Sequence, residues 1–388
     1  MIRNAKTIEQ SVRERYAASA EKVEAELCCA VGDYDRKLLD AIPKAILDVD
    51  YGCGNPSKWV QPGDTVLDLG SGSGKMCFIA AQVAGSEGRV IGVDFNPPML
   101  ALARGATGGF AKNVGFANVA FKCGRIQDLA LDLEALGAHL EAKPATDYEG
   151  YLRAGDEADR IRREDPMIAD DSIDLIISNC VLNLVRADQK EQLFAEMYRV
   201  LKRKGRCVIS DIVCDEPVPA HLQADEDLWS GCISGAFEEG AFLEAFERAG
   251  FHGIEIVERS EAPWRVVEGI EFRSMTVRAY KGKEGHRLEG NQAVIYRGPW
   301  QAVLDDDGHT LYRGERMAVC KKTFELYTSA PYADSIVPVP PHEEVPLDDA
   351  AEFTCGDDAR RSARVTKGSD YSETKDAADD CCAGGGCC

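Results

Sequence analysis

Fifteen cysteines stand in this chain of 388 residues, and a few occupy places where a thiol can do chemistry. Cys53 lies in YGCGNP, Cys180 in SNCVLNL, and Cys232 in the glycine-flanked loop LWSGCISGAF; Cys28 and Cys29 are adjacent in LCC. A thiolate is a soft, polarisable donor, so cysteines at such places suit a thiophilic ion or two-electron redox exchange. A second set of residues suits a different ligand. The segment VLDLGSGSGKM carries Asp68, Gly70, Ser71, Gly72 and Gly74 between an apolar β-type run and a helical one. Glycines there let the backbone turn tightly and approach a ligand closely. Their G-x-G-x-G spacing is not the G-x-G-x-x-G of a pyrophosphate-binding dinucleotide fold. Asp94 ends the next β-type run, where a carboxylate can accept both hydroxyls of a ribose, and Phe95 and Met99 follow to cover an adenine face.

These residues need a scaffold that brings them to one edge. Runs 65–70, 89–94, 118–123, 172–179 and 206–213 are β-branched and short, and they alternate with helical patterns at 75–85, 97–115 and 190–205. That rhythm predicts an α/β fold, a doubly wound, Rossmann-like parallel sheet with helices on both faces. The carboxyl ends of such strands line the ligand crevice, which places Cys180 near the glycine loop by topology. Residues 129–171 are too long and too charged for a short connection and read as a helical surface insertion, with a lid over the crevice as its simplest role.

Four segments are expected. Residues 1–60 form a helical N-terminal segment carrying Cys28, Cys29 and Cys53. Residues 61–215 form the nucleoside-binding domain with its insertion. Residues 216–336 form a smaller C-terminal α+β domain with a hairpin turn at DDDGHT (305–310). Residues 337–388 form an acidic, disordered tail ending in CCAGGGCC.

Composition excludes several partners. A formal net charge of −21 argues against nucleic acid, which needs a basic stripe, and against anionic lipid surfaces. The first residues lack an apolar core of a secretory signal, and no run of 18 apolar residues exists, so the reading is a cytoplasmic protein. Disulfides are uncommon in that compartment, so the thiols are expected as ligands, redox groups or core. The histidines form no H-x-x-H or H-x-x-x-H pair, and the cysteines do not match zinc-knuckle spacing.

An acidic residue on strand one, a glycine loop and an acidic end to strand two resemble class I S-adenosylmethionine methyltransferases. In such folds the loop after strand three touches the adenine, which points to Ile126 and Gln127. Joined with Tyr51-Gly52-Cys53-Gly54, Ser178 to Leu184 and the Cys232 loop, the pattern is similar to that of the arsenite S-adenosylmethionine methyltransferase family, over about residues 25–285. The resemblance implies that Cys180 and Cys232 bind As(III), that Cys53 is a third ligand or redox partner, and that Cys28 or Cys29 pairs with it. It also implies Tyr51 and Asn179 on the cofactor side, S-adenosylhomocysteine as product, and a thiol reductant such as thioredoxin or glutathione acting on a monomer. A thiolate-held arsenic keeps a lone pair that can attack a sulfonium methyl without a general base.

Other readings stay open. Cys77, Cys123, Cys207 and Cys320 sit in apolar periodic runs and read as core, as does Cys214. Cys355 reads as incidental, and the terminal Cys381, Cys382, Cys387 and Cys388 either capture a thiophilic ion or have no role in turnover. The acceptor could instead be sterol- or quinone-like, or the chain could be a non-catalytic metalloid-binding thiol protein.

Overall fold

A computed structural model describes residues 7–21, 34–49, 51–354, 359–368 and 370–372. The chain divides into two compact units, Met1–Gly282 and Lys283–Cys388.

The first unit begins with helices α1 (Ile8–Glu21), α2 (Arg36–Asp40) and α3 (Lys44–Leu47). Strand β1 (Thr65–Leu69) leads into α4 (Lys75–Ala84), β2 (Arg89–Asp94) into α5 (Pro97–Val114), and β3 (Val119–Cys123) into α6 (Leu133–Ala142) and α7 (Tyr148–Glu164). Then come β4 (Ile173–Asn179), α8 (Lys190–Val200), β5 (Leu201–Cys214), the short α9 (Ala220–Gln223) and α10 (Glu226–Ser230), β6 (Phe237–Glu238) and α11 (Glu239–Arg248). The strands β7 (His252–Arg259), β8 (Arg265–Val267) and β9 (Ile270–Tyr280) close the unit. The sheet order is β3-β2-β1-β4-β5-β9-β7, with β6 on β5 and β8 on β9. The first five strands are parallel; β9 and β7 are antiparallel.

Side chains alternate across this sheet as strand geometry requires. Val66, Val90, Leu175 and Val208 pack with α4 and α5 on one face, while Leu67, Ile91, Ile176 and Ile209 pack with α8 and α11 on the other. The strands are buried on both sides, so they read as continuous apolar runs. Local chemistry sets the helix ends. Two prolines open α5 and Gly115 closes it in the left-handed region. Asp132 and Asp147 cap α6 and α7 through backbone N–H groups.

Three expectations need correction. The boundary expected at 215 lies instead after Gly282, because β9 pairs with β5 along its length and carries the same sheet onward. Helix α8 ends at Val200 rather than at 205, because Leu201 already pairs with Ile173. The insertion is helical as expected, packed by Leu131, Ala158 and Ile161, but none of its residues lines the cleft described below, so it is no lid in this structure.

The second unit holds β10 (Ala293–Tyr296), β11 (Ala302–Leu304), β12 (Thr310–Tyr312), β13 (Arg316–Ala318), α12 (Lys321–Tyr327), β14 (Ile336–Val339) and α13 (Ala363–Lys367). Its antiparallel sheet runs β13-β10-β14, and β11 and β12 form the hairpin expected around DDDGHT. Asp305, Asp307 and His309 cluster at that turn, where Asp305 takes His309 and Tyr327 as donors and Lys283 pairs with Asp307. The stretch expected to be a loose tail is structured through its described part. Val337 to Val339 pair with β10, Phe353 N–H donates to Arg287, and Arg361 pairs with Glu289. CCAGGGCC and Cys355 lie outside the described residues. Among the described residues, no helix is long and apolar enough to cross a membrane.

Gly74 caps α4 at φ +90°, and a Cβ there would lie 2.6 Å from the Phe121 ring. A left-handed non-glycine residue costs about 1–2 kcal/mol and overpacking about 1–3. Gly74→Ala should therefore lower unfolding free energy by about 2–5 kcal/mol in urea melts; an unchanged midpoint would remove this packing role.

Candidate active site

The strand order reverses between β1 and β4, and a crevice opens at their carboxyl ends, as such a switch point requires. It is an open cleft with about 1180 Å³ of empty space. Of the twelve residues that sequence reasoning put on the cofactor, eleven line it: Tyr51, Asp68, Gly70, Ser71, Gly72, Asp94, Phe95, Met99, Ile126, Gln127 and Asn179. Gly74 does not; it is a packing residue under the loop.

The two carboxylates are buried. Burial raises Asp68 to about 7, against a hydrogen bond from the Cys77 thiol at 3.2 Å, and Asp94 adds to the rise. Cys77 is thus core, as read, yet it also holds a cofactor-side carboxylate. Burial likewise raises Asp94, opposed by backbone N–H groups of Asn96 at 2.8 Å and Gly72 at 2.9 Å. Ser71 Oγ and Asn96 Oδ1, both of cleft residues, are buried without a hydrogen-bond partner. Such atoms ask for a polar ligand.

Asn179 does more than line the cleft. Its Oδ1 accepts the backbone N–H of Cys53 at 2.8 Å and of Gly54 at 3.0 Å, and its Nδ2 donates to the Gly54 carbonyl at 2.8 Å. A Cβ on Gly52 would collide with this amide, which is why glycine stands there. Ser274 Oγ donates to the Cys53 carbonyl at 2.6 Å. The YGCG loop is thereby fastened beside the end of β4, and Cys53 forms a disulfide with Cys180 across a Cα–Cα distance of 5.9 Å. Sequence reasoning paired Cys53 with Cys28 or Cys29; those two lie outside the described residues, and the observed partner of Cys53 is Cys180.

Cys232 joins them. Cys53, Cys180, Cys214 and Cys232 share one apolar cluster with Ile212, Phe272 and neighbours, and the Cys232 sulfur lies 3.5 Å from the Cys180 carbonyl. Only Cys180 of these also lines the cleft. Cys180 and Cys232 both hold left-handed backbone, φ +60° and +62°, an uncommon state for non-glycine residues that the surroundings must enforce. Cys214, pushed up to about 12 mainly by burial, bonds to the Phe237 carbonyl at 3.2 Å and is a protonated core thiol. Cys207 is core in the main sheet and Cys320 is buried, as their apolar settings suggested; Cys320 also caps α12, which was not read from the sequence, and Cys123 is half-buried at the end of β3.

A buried charge pair braces the two cysteine loops. Asp211 accepts the N–H of Leu182, two residues past Cys180, at 2.8 Å. Lys190 donates to the carbonyl of Gly235, three past Cys232, and its ammonium lies 3.8 Å from the Phe237 ring centroid. Burial lowers Lys190 to about 8 and raises Asp211 to about 6, and each opposes the other's shift. Sequence reasoning missed both, as it missed Tyr16, Asn96 and Arg125 at the cleft. Asp211 had a signal: an acidic residue inside the apolar run CVISDIV. Tyr16 and Lys190 sit in charged amphipathic helices and had none.

Asp68 and Asp211 have folded pKa values above the unfolded carboxylate value of about 4. Their contribution to stability is full below that value and is lost as pH rises through about 7 for Asp68 and about 6 for Asp211. Asp68→Asn should accordingly flatten the fall in melting temperature of the cofactor-free protein between about pH 4 and 7. Parallel curves for variant and parent would contradict the buried-carboxylate account.

Known proteins resemble this arrangement. A family model described as a methyltransferase domain matches residues 60–137 and 157–250, and a domain of unknown function, DUF8838, matches 283–371. The arsenite methyltransferase of Aquipseudomonas alcaligenes is 30% identical over 344 residues, 84% of this chain and 88% of that protein. That of Halobacterium salinarum is 37% identical over 217 residues, 55% of this chain and 44% of that protein. The crystal structure of an arsenic(III) S-adenosylmethionine methyltransferase from Chlamydomonas reinhardtii superposes with a TM-score of 0.54 at 26% identity, covering 82% of this chain and 98% of that one. With a relative 30% identical across 84% of this chain and 88% of its own length, the chain belongs to the arsenite methyltransferase family.

Proposed function

We propose that the reduced thiols of Cys180, Cys232 and Cys53 hold As(III) beside the cofactor cleft, and that Cys53 and Cys180 are also the electron source of the cycle. The observation that carries this reading is their convergence. Three cysteines from distant parts of the chain share one apolar cluster at the crevice between β1 and β4.

The cleft fits S-adenosylmethionine. Asp94 keeps acceptor capacity for a ribose diol beyond its backbone donors. Ile126, Met99 and Phe95 offer an apolar face for adenine, and the orphaned Ser71 Oγ and Asn96 Oδ1 offer polar partners. When bound, S-adenosylmethionine supplies an electrophilic methyl group, to be taken by the lone pair of thiolate-held arsenic.

The chain's own residues do three things. The cysteines displace the oxygens of arsenite, each thiol proton leaving with a hydroxide as water. Asn179, Asp211 and Lys190 fix the loops that carry those cysteines, since alignment of reacting atoms can supply roughly 7–11 kcal/mol of barrier reduction at best. The apolar cluster around Ile212, Ile233 and Phe272 excludes water, which favours a step that disperses charge.

Methyl transfer leaves arsenic formally pentavalent. Two electrons return it to the trivalent state, and joining the thiolates of Cys53 and Cys180 into a disulfide releases two. An external thiol, thioredoxin or glutathione in this reading, then reduces the disulfide by exchange. The bonded Cys53–Cys180 pair supports this reading, since such a disulfide is what that step would leave. One chain carries every group named, so a monomer suffices. The cofactor cleft argues against a purely metalloid-binding protein, and the thiol cluster against a sterol- or quinone-like acceptor.

With arsenite, labelled cofactor and an external thiol, the parent protein should release methylated arsenicals identified by chromatography and mass spectrometry. Cys180→Ser and Cys232→Ser should each lower the rate by about 100-fold or more, as loss of a group that acts as part of a unit does. Cys53→Ser should abolish repeated turnover. A Cys53→Ser protein that cycles at the parent rate would remove the electron-source role.

A further inference from the structure

We propose that Tyr16 is a further residue of the methyl-transfer site: a positioning residue whose hydroxyl holds the sulfur of Cys232 while its ring forms part of the cofactor cleft. The inference rests on the reading of Cys232 as an arsenic ligand.

Of the three cysteines, Cys232 is held least firmly by the others. Cys53 and Cys180 are joined to each other, and their backbones are fixed by Asn179, Ser274 and the carbonyl of Ser210. Cys232 comes from a separate connection after α10 and bends through the left-handed region. Its sulfur meets the Cys180 carbonyl at 3.5 Å, a weak contact. Burial raises the Tyr16 hydroxyl well above the usual phenol range, and the Cys232 thiol beside it adds to the rise.

The same tyrosine faces the cofactor. Tyr16 lines the cleft, and its ring packs edge-on against that of Tyr51 at 6.0 Å and 87°. One side chain thus touches a wall of the nucleoside site and a proposed arsenic ligand.

Helix α1 is fastened at both sites. On the cofactor side, Asn96 Nδ2 donates to the Arg13 carbonyl at 3.1 Å, and Glu9 pairs with Arg125 at 2.7 Å, in the loop that carries Ile126 and Gln127. On the cysteine side, Arg15 donates to the Asp227 carbonyl at 3.0 Å and to Ser230 Oγ at 2.9 Å, two residues before Cys232. Helix α1 is therefore a strut between the two halves of the site, and Tyr16 is its contact with the sulfur. In-line transfer is sensitive to such placement, because a shift of about 1 Å can cost about 100-fold in rate.

The test uses the full chain with Tyr16→Phe, Tyr16→Leu and Cys232→Ser. Tyr16→Phe keeps the ring and removes the hydroxyl. It should leave the dissociation constant for S-adenosylmethionine within about two-fold by calorimetry, while kcat for arsenite methylation falls roughly ten-fold or more and arsenite quenching of tryptophan fluorescence shifts to higher arsenite. Tyr16→Leu should weaken the cofactor as well. Tyr16→Phe with parental kcat and arsenite affinity, beside a Cys232→Ser protein whose arsenite binding and methylation are weakened, would overturn the role of Tyr16 alone. A Cys232→Ser protein that binds and methylates arsenite like the parent would overturn the ligand assignment beneath it.

Discussion

The side-chain amide of Asn179 makes the interaction that fixes the Cys53 turn beside Cys180. It is buried, and each hydrogen bond it makes goes to the backbone of the Cys53-Gly54 turn. A buried amide left without partners costs about 1–3 kcal/mol per group, so turn and amide specify each other. Asn179 is also the last residue of β4 and the neighbour of Cys180. The bond that satisfies the amide therefore brings Cys53, 127 residues away in sequence, within disulfide reach of Cys180. A hydrogen-bonded anchor at a strand end does what no local sequence preference can: it joins a loop before β1 to a loop after β4.

A second constraint is electrostatic. Lys190 and Asp211 put opposite charges beneath two left-handed cysteine loops. Buried charges are seldom a net gain in stability. Here each also bonds a backbone group of one loop, Asp211 that of Leu182 and Lys190 that of Gly235. We read the pair as a device that fixes loop geometry rather than one that adds stability. Removing either partner would leave an uncompensated charge next to the cysteines.

Much of this was legible in the sequence, for identifiable reasons. Parallel strands buried on both faces carry strong apolar runs, so β1, β2, β4 and much of β5 were readable, and with them the crevice and the residues at its edge. The glycine loop was readable because a tight turn demands glycine, and Asp94 because it ends an apolar strand. The partner of Cys53 was not, since pairing depends on the fold rather than on sequence spacing. Nor was the true boundary at Gly282. Helix, then antiparallel strands, looks the same whether it extends a sheet or begins a new domain, and only the register of β9 on β5 decides. Residues after Pro338 looked loose because single edge strands such as β14 are short and proline-bearing; their order comes from pairing with β10. The resemblance put Asn179 on the cofactor side; it does line the cleft, and its bonds to the Cys53-Gly54 turn were not legible because they depend on the fold.

The central claim is that three thiols converge on one arsenic and that two of them can close against each other. X-ray absorption at the arsenic edge measures this most directly, on fully reduced protein loaded with one equivalent of arsenite. The account predicts sulfur neighbours only, three in number, with one replaced by oxygen in Cys232→Ser, and no bound arsenic once the Cys53–Cys180 disulfide has been formed beforehand. An arsenic shell that keeps oxygen in the parent protein, or one unaffected by the disulfide, would contradict it.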